Sequence, residues 1–275
     1  MYIISDCIYA LGYYIIGYRK DVVMKNLSLA FPEKTEAERI RIAKDFYHNL
    51  IDNFIETLKL VSVNKKQFQK RFICNDWHVL NDLYPTGQKV QFCTAHFFNW
   101  EFANLGASLS SKYPFVVVYM PVANKIIDKI IYNMRSKFGT ILIPATEFRT
   151  KFHQYASNIY ALVLVADQSA GNPSKAYWAD FFGRKAPFVK GLEKGARLNN
   201  TAIIYGNFFK IKRGYYKLDL KLMTTEPNQY PEGAITKMMI KEVEASVKKN
   251  PANYLWSHRR WKHEFDEEKY GKLVV

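Results

Sequence analysis

Short apolar runs alternate with longer amphipathic segments through most of the chain, which is the pattern of strands and helices in an α/β fold. The runs that predict strands are Val90–Ala95, Phe115–Tyr119, Thr140–Ile143, Ile159–Ala166, Ala202–Tyr205 and Tyr215–Leu222. The segments that predict helices among them are Asn99–Leu109, Asn124–Phe138, Glu147–Ser157, Phe188–Leu198 and Gly233–Lys249. We therefore expect a mixed, largely parallel central sheet flanked by helices, with a hydrophobic helix at the N-terminus.

The segment before the first strand is predicted to be helical scaffold. Thr35 followed by Glu38 is a capping box, and it predicts a helix that continues to about Leu60. The core face of this helix is predicted from four apolar positions, Phe46, Leu50, Phe54 and Leu58. Residues Lys65–Arg71 are predicted to form a basic, solvated connection.

Met1–Tyr18 is apolar and rich in tyrosine, and Arg19 and Lys20 follow it directly. It lacks the basic start and cleavage site of a secretory signal, and at about 18 residues, interrupted by Asp6, it is at the short limit for a membrane span. A membrane anchor and an ordinary core helix both remain open, although tyrosines favour an interface. With no linker elsewhere, we expect residues 1–20 to form an anchoring or interfacial helix and residues 21–275 a single domain.

The charge of the chain points to an anionic partner. The 275 residues carry 40 Lys and Arg against 25 Asp and Glu, a net charge of +15. Nucleic acid, an anionic membrane, a phosphorylated substrate and an acidic protein would each suit this excess. The three cysteines (Cys7, Cys74 and Cys93) match no metal-binding spacing, and their odd number favours a reducing compartment over a disulfide framework.

His96 and Glu101 form the first candidate site. His96 ends a predicted strand, and Glu101 lies in the first turn of the helix that Asn99 is expected to cap. A half-buried carboxylate that binds one imidazole nitrogen fixes the tautomer and leaves the other nitrogen as a base. From the spacing alone, a turn histidine and a glutamate that merely suits the helix dipole are the better explanation.

Three further residues, Asp167, Gln168 and Arg135, are candidates for ligand binding. Asp167 and Gln168 follow a strand, and ligands in open α/β sheets bind beyond the carboxyl ends of strands, where His96 also lies. An ordinary loop with an Asx turn is the alternative. Arg135 borders an apolar stripe, where its guanidinium would bind phosphate or carboxylate unless it simply extends to solvent.

The segment Tyr254–His263 (YLWSHRRWKH) interleaves aromatic and basic residues. Such a segment would suit stacked bases and phosphates, or a lipid headgroup layer. No RNA-binding signature accompanies it, so the nucleic-acid interpretation is the weaker of the two.

Taken in order, these motifs resemble the late acyltransferases of lipid A biosynthesis, the Kdo2-lipid A lauroyl/myristoyl transferase family within the lysophospholipid acyltransferase superfamily. The resemblance covers nearly the whole chain. It rests on VVMKNLSLAFP (22–32), AHFFNWE (95–101), Tyr119-Met120-Pro121 leading to Arg135 and Gly139, Ala166-Asp167-Gln168 with Gly171, Phe181-Phe182-Gly183, and YLWSHRRWK (254–262).

The resemblance implies roles for the candidate residues. His96 would be the base that deprotonates a hydroxyl, and Glu101 would orient and charge-stabilise the imidazole. Arg135 would bind the phosphate or another polar part of acceptor or donor. Asp167 and Gln168 would line the crevice.

The implied reaction is acyl transfer from acyl carrier protein or coenzyme A to a hydroxyl of a lipid A precursor, without a metal or other cofactor. Backbone N–H groups at the start of the Asn99 helix would stabilise the oxyanion. The family works on the cytoplasmic face of the bacterial inner membrane, so the net positive charge would serve an anionic lipid acceptor, an acidic carrier protein and an anionic membrane surface, and no nucleic acid. Another lipid acceptor (a glycerophospholipid, an aminolipid or a mannoside) and a non-catalytic, basic membrane-associated binding protein remain the alternatives.

Overall fold

A seven-stranded sheet lies at the centre of the computed structural model, which describes residues 1–275. Its strands are β1 (Phe72–Ile73), β2 (Val90–Thr94), β3 (Phe115–Tyr119), β4 (Ile141–Pro144), β5 (Ala161–Val165), β8 (Ala202–Lys212) and β9 (Tyr215–Thr224). They are ordered β1-β9-β8-β2-β5-β3-β4. β8, β2, β5, β3 and β4 run parallel, and β9 pairs antiparallel with β8. The prediction of a mixed, largely parallel sheet flanked by helices is confirmed.

Helices and two further strands complete the fold. The helices are α1 (Tyr2–Ala10), continued by a π-helical turn (Leu11–Ile16), α2 (Lys20–Ala30), α3 (Glu36–Leu60), α4 (Lys65–Gln69), α5 (Trp77–Asn81), α6 (Trp100–Ser110), α7 (Lys125–Arg135), α8 (Phe148–Lys151), α9 (His153–Ala156), α10 (Gly191–Asn199), α11 (Ala234–Lys249) and α12 (Glu267–Tyr270). A separate antiparallel hairpin is formed by β6 (Ala176–Phe181) and β7 (Arg184–Val189).

Two buried clusters cover the two faces of the sheet. Ile203 and Tyr205 of β8 join α2, α3, α10 and α11 in one cluster, whereas Ile204 joins α4, α5 and α6 in the other. Side chains of successive strand residues point to opposite faces, so this alternation shows helices packed on both sides. Continuous apolar strands such as β2 are typical of sheets that are covered on both faces.

One segment prediction is wrong in where its helix starts, and two others are wrong in which residues are buried. The helix expected over Phe188–Leu198 begins only at Gly191, because Phe188 belongs to the β6–β7 hairpin. That hairpin closes through Phe182 and Gly183, both with positive φ (52° and 71°), and a phenylalanine there gives no turn signal in the sequence. In α3, Phe54 and Leu58 are exposed and not in the core, and the expected connection at Lys65–Arg71 contains helix α4 with Phe68 fully buried.

The N-terminal helix packs on the protein through its polar side chains. Tyr2 donates to Glu56 Oε1 (3.0 Å), Ser5 donates to Asp52 Oδ1 (2.7 Å), and Asp6 pairs with Arg213. The apolar side chains on the other side of the helix are exposed, namely Ile3, Ile4, Ile8, Leu11, Ile15 and Ile16. None of the helices has both the length and the apolar character that crossing a bilayer requires.

Candidate active site

His96 and Asp167 meet at the carboxyl-terminal edge of the sheet. β2 and β5 are parallel neighbours in register, with Thr94 beside Val165, so the chain leaves both strands at the same edge. His96 Nδ1 lies 2.7 Å from Asp167 Oδ1, and the backbone N–H of His96 donates to the same oxygen (3.2 Å). The predicted convergence of the two strand ends on one crevice is therefore observed.

The surroundings of the pair favour its charged form. Asp167 is 1% exposed and the imidazole of His96 is 26% exposed. Burial disfavours an imidazolium, but the Asp167 carboxylate outweighs it, and the pKa of His96 is raised above its ordinary value. Burial likewise disfavours a carboxylate, but attraction and hydrogen bonding from His96 dominate, and the pKa of Asp167 is lowered. The contact occupies Nδ1 and leaves Nε2 as the free nitrogen.

The C-terminal segment fixes the turn that carries His96. Leu255 N–H donates to the carbonyl of His96 (3.1 Å), and Phe98 N–H donates to the carbonyl of Asn253 (3.0 Å). The buried hydroxyl of Tyr254 faces the Asp167 carboxylate and helps to lower its pKa. The turn between β2 and α6 is thus held against residues 253–255 and does not fold back over α6.

This geometry corrects the prediction that Glu101 orients the imidazole. Glu101 instead accepts from Arg135, through Nε (3.1 and 3.0 Å) and Nη2 (2.6 Å), and from Trp100 Nε1 (3.0 Å). The prediction assumed that the turn brings the imidazole back over the first turn of α6. Because the turn is bound to the C-terminal segment, His96 reaches Asp167, and Glu101 faces α7.

Arg135 is therefore an ion-pair partner of a nearly buried carboxylate. Burial lowers the pKa of Arg135, but hydrogen bonding and attraction from Glu101 prevail, and its pKa is raised. Nε and Nη2 are used by Glu101, and Nη1 has no protein acceptor. Arg135 lines the same cavity as His96, so it has a donor available for a ligand.

A mainly apolar cavity of about 330 Å³ lies between α6 and the sheet. Its polar groups cluster at the end near the carboxyl edge of the sheet, where His96, Glu101 and Arg135 lie. Its far end is lined by side chains two turns along α6 and at the start of β3, Ala107 and Phe115. The other lining residues are Phe92, Thr94, Ala95, Trp100, Ala103, Asn104, Val117, Val118, Tyr119, Met120, Val163, Val165, Phe208 and Leu218. A cavity with polar groups at one end and an apolar body suits a ligand with a reactive head and a hydrocarbon chain.

Asn99, Asp167 and Gln168 do not line this cavity, so the expectation that Asp167 and Gln168 line the crevice is wrong. Asn99 is the N-cap residue of α6, but its side chain makes no capping hydrogen bond and is fully buried. Its Nδ2 faces Glu56 Oε2 at 3.4 Å, so the side chain is not placed to bind a substrate. Gln168 is half-buried beside Asp167. No group of three or more His, Cys, Asp or Glu side chains is arranged to hold a metal ion.

The aromatic and basic C-terminal segment is largely internal, which corrects its interpretation as a surface for bases or lipid headgroups. Trp256 and Arg260 are each 1% exposed, and the Arg260 guanidinium stacks on the rings of Phe181 and Phe188. His258 Nε2 accepts from the backbone N–H of Ser169 (3.1 Å), and burial lowers its pKa to about 4. The sequence pattern missed this supporting role because spacing does not show which side chains are buried.

Comparisons with known proteins identify the family of the chain. Residues 2–263 match the family model of the bacterial lipid A biosynthesis acyltransferase. The chain is 26% identical to lipid A biosynthesis acyltransferase 2 of Shigella flexneri, over 84% of this chain and 74% of that protein. It is 22% identical to the lipid A biosynthesis palmitoleoyltransferase of Escherichia coli K12 (89% and 79% covered) and 23% identical to the myristoyltransferase of the same organism (84% and 71%). The resemblance found in the sequence motifs is confirmed, and the chain belongs to the bacterial lipid A biosynthesis acyltransferase family.

Proposed function

We propose that this protein transfers a fatty acyl chain from an acyl thioester to a hydroxyl group of a lipid A precursor, with His96 as the general base. The observation that carries the proposal is the 2.7 Å contact between His96 Nδ1 and Asp167, at the polar end of an apolar cavity. Asp167 holds the tautomer in which Nδ1 carries the proton, so Nε2 is free to accept one from the acceptor hydroxyl. Family membership supports a lipid A precursor as the acceptor.

The reaction is a direct transfer. His96 Nε2 takes the hydroxyl proton as the oxygen attacks the thioester carbonyl, and a C–O bond forms. When the tetrahedral intermediate collapses, the C–S bond breaks and the imidazolium returns its proton to the leaving thiolate. Asp167 stabilises the imidazolium between these steps. The ester and the free thiol are the products, and no cofactor or metal is consumed.

The Glu101–Arg135 pair supplies the positive group of the site. Glu101 holds the guanidinium by two nitrogens, and Nη1 remains available for a phosphate of the acceptor or a polar group of the donor. The oxyanion would be stabilised by backbone N–H groups at the start of α6, where the helix dipole also favours negative charge. The residues of this pair therefore bind and orient, whereas His96 moves the proton.

The donor is either an acyl carrier protein thioester or a coenzyme A thioester, and the apolar cavity accommodates its chain. The names of the palmitoleoyltransferase and myristoyltransferase relatives support a long-chain donor. The net charge of +15 suits an acidic carrier, a phosphorylated lipid and an anionic membrane. The exposed isoleucines of α1 support attachment to the cytoplasmic face of the inner membrane.

The test is mass spectrometry of lipid A from cells with and without the active protein, with His96→Ala as a matched inactive control. Loss of one acyl mass in both the deletion and the His96→Ala strain supports the proposal. In vitro, purified enzyme should transfer from an acyl thioester to the lipid A precursor faster than to a lysophospholipid. Preference for the lysophospholipid would point to another lipid acceptor, and no thioester consumption with either would point to a binding protein.

A further inference from the structure

Helix α7 exposes the apolar stripe that an amphipathic helix normally buries. The apolar stripe of α7 consists of Ile126, Ile127, Ile130, Ile131 and Met134. Only Met134 is buried, and Ile126, Ile127 and Ile130 are exposed (73% for Ile126). Asn124 caps the helix by accepting from the N–H groups of Ile126 and Ile127 (3.0 and 3.2 Å), so these side chains project from an ordered helix. Exposed apolar residues on one contiguous face mark an interaction surface.

This face adjoins the cavity. The loop before the helix continues the apolar surface with Met120 (70% exposed) and Val122. Met120, at one end of the segment, and Arg135, at the other, both line the cavity that contains His96. The segment Met120–Arg135, called here the α7 ledge, therefore adjoins the cavity at both of its ends.

Exposed cations flank the apolar face of the ledge. Lys125 and Lys129 are one turn apart and precede Ile126 and Ile130 respectively, so a row of ammonium groups runs beside a row of isoleucines. Just beyond the helix, Lys137 donates to the carbonyls of Leu60 and Val61 of the adjacent α3 terminus, where Leu58 and Val61 are exposed. The isoleucines would contact the acyl chains of an anionic bilayer, and the lysines beside them would contact its negatively charged headgroups.

We propose that the α7 ledge inserts into the surface of an anionic bilayer and opens the cavity directly to the lipid. A second copy of this chain is a poorer occupant, because its lysines would face these lysines. The docking step is independent of the chemistry at His96, but the role of the ledge in substrate entry rests on the proposed function. It adds a second membrane contact to that of α1, on the side where the reaction occurs.

Docking is tested with an environment-sensitive fluorophore at the ledge. In a Cys7→Ser background, which removes the exposed thiol, Ile126→Cys and the control Leu198→Cys are labelled with NBD. Leu198 is 85% exposed on α10 and provides a matched apolar surface position. With phosphatidylethanolamine–phosphatidylglycerol vesicles (3:1), we expect a blue shift and a several-fold intensity gain at position 126 and little change at 198. A water-like probe at 126 on vesicle-bound protein, or a shift without vesicles that grows with protein concentration, would overturn the proposal.

The role in entry is tested with Ile126→Ser/Ile130→Ser and the control Leu198→Ser. Neither isoleucine lines the cavity, so transfer to detergent-dispersed acceptor should stay within about twofold of wild type. Transfer to acceptor embedded in the same vesicles should fall about tenfold in the double variant and not in the control. An equal loss in detergent and vesicles would assign the isoleucines to the fold. If the wild-type protein transferred no acyl chain in either the detergent or the vesicle assay, the proposed function would be refuted. The fluorescence experiment would then decide by itself whether the α7 ledge docks on the bilayer.

Discussion

His96 and Asp167 are 71 residues apart in sequence, yet His96 Nδ1 lies 2.7 Å from Asp167 Oδ1. The contact exists because β2 and β5 are adjacent parallel strands that end at the same edge, and because the C-terminal segment holds the His96 turn in place. The carboxylate is almost fully buried and the imidazole is partly accessible from the cavity. This is the arrangement expected of a base and the group that orients it.

The first prediction concerns this pair. His96→Ala should reduce transfer by about 10²–10⁴-fold, the usual contribution of general-base assistance. Asp167→Asn should also cost at least about 10²-fold, because the amide cannot stabilise the imidazolium. The double variant should be little worse than His96→Ala, because the carboxylate acts through the imidazole. The measurement is the initial rate with a radiolabelled acyl thioester.

Glu101→Gln serves as the comparison in that series. Glu101 contacts Arg135 and not His96, so combining Glu101→Gln with His96→Ala should multiply the two losses. If the rate losses of Glu101→Gln and His96→Ala were non-additive while those of Asp167→Asn and His96→Ala multiplied, Asp167 would not be the residue that acts through His96.

The second prediction concerns pH. The transfer rate should rise with pH, with a midpoint above the ordinary 6.5, because His96 must be neutral to act and Asp167 raises its pKa. Asp167→Asn should move that midpoint to lower pH.

The His96–Asp167 pair stabilises the fold most while both groups are charged. Its contribution is complete below 6.5 on the histidine side and is lost as pH rises through the raised pKa of His96. The stability that comes from the charge of Asp167 is complete above pH 3.8 and is lost as pH falls through the lowered pKa of Asp167.

Kinetics and urea unfolding across pH 3 to 9, for wild type and Asp167→Asn, measure both effects. The difference in unfolding free energy should be largest between 3.8 and 6.5. If the transfer rate rises with the same midpoint pH in wild type and in Asp167→Asn, a group other than His96 controls the pH dependence of the rate.

The sequence predicted the sheet and the convergence of His96 and Asp167 on one edge of it, because strand periodicity and the convergence of parallel strand ends follow from local pattern and topology. It did not predict which carboxylate binds His96. That choice depends on two long-range hydrogen bonds of the His96 turn, in which Phe98 N–H donates to the Asn253 carbonyl and Leu255 N–H donates to the His96 carbonyl, and no spacing encodes these contacts. The sequence also did not predict that the apolar stripe of α7 is exposed. An apolar stripe shows that a helix is amphipathic, but it does not show what covers that stripe.

The third prediction concerns Arg135 and Glu101. Arg135→Ala leaves the nearly buried Glu101 carboxylate without its cation, which should lower the unfolding free energy by about 3 kcal/mol. Arg135→Ala/Glu101→Gln should recover most of this loss, since the neutral amide can still accept from Trp100 Nε1. Urea denaturation of the singles and the double measures the coupling.

The same variants separate stability from binding. The stabilised double variant, assayed below its unfolding transition, should still show a raised KM if Nη1 of Arg135 binds substrate. A wild-type KM in the double variant would show that Arg135 is structural.

The fourth prediction concerns acyl-chain length. Ala107 faces the cavity two turns along α6 from Trp100, about 10 Å from the polar end at 1.5 Å per residue. Ala107→Leu adds three carbons to the wall at the apolar end, near Phe115, so it should shift the preferred donor to a chain shorter by about two to three methylenes. Each methylene that no longer fits forfeits about 0.8 kcal/mol of burial, or roughly a fourfold loss of kcat/KM. Competition among acyl thioesters of different chain length, read by mass spectrometry of the product, gives the chain-length preference directly.

Two controls apply to Ala107→Leu. Transfer rates with the shortest donors should be unchanged, because His96 and Asp167 are not disturbed. The thermal midpoint should change little, because the new side chain enters empty space. A folded Ala107→Leu protein with the wild-type length preference would place the acyl chain outside this cavity.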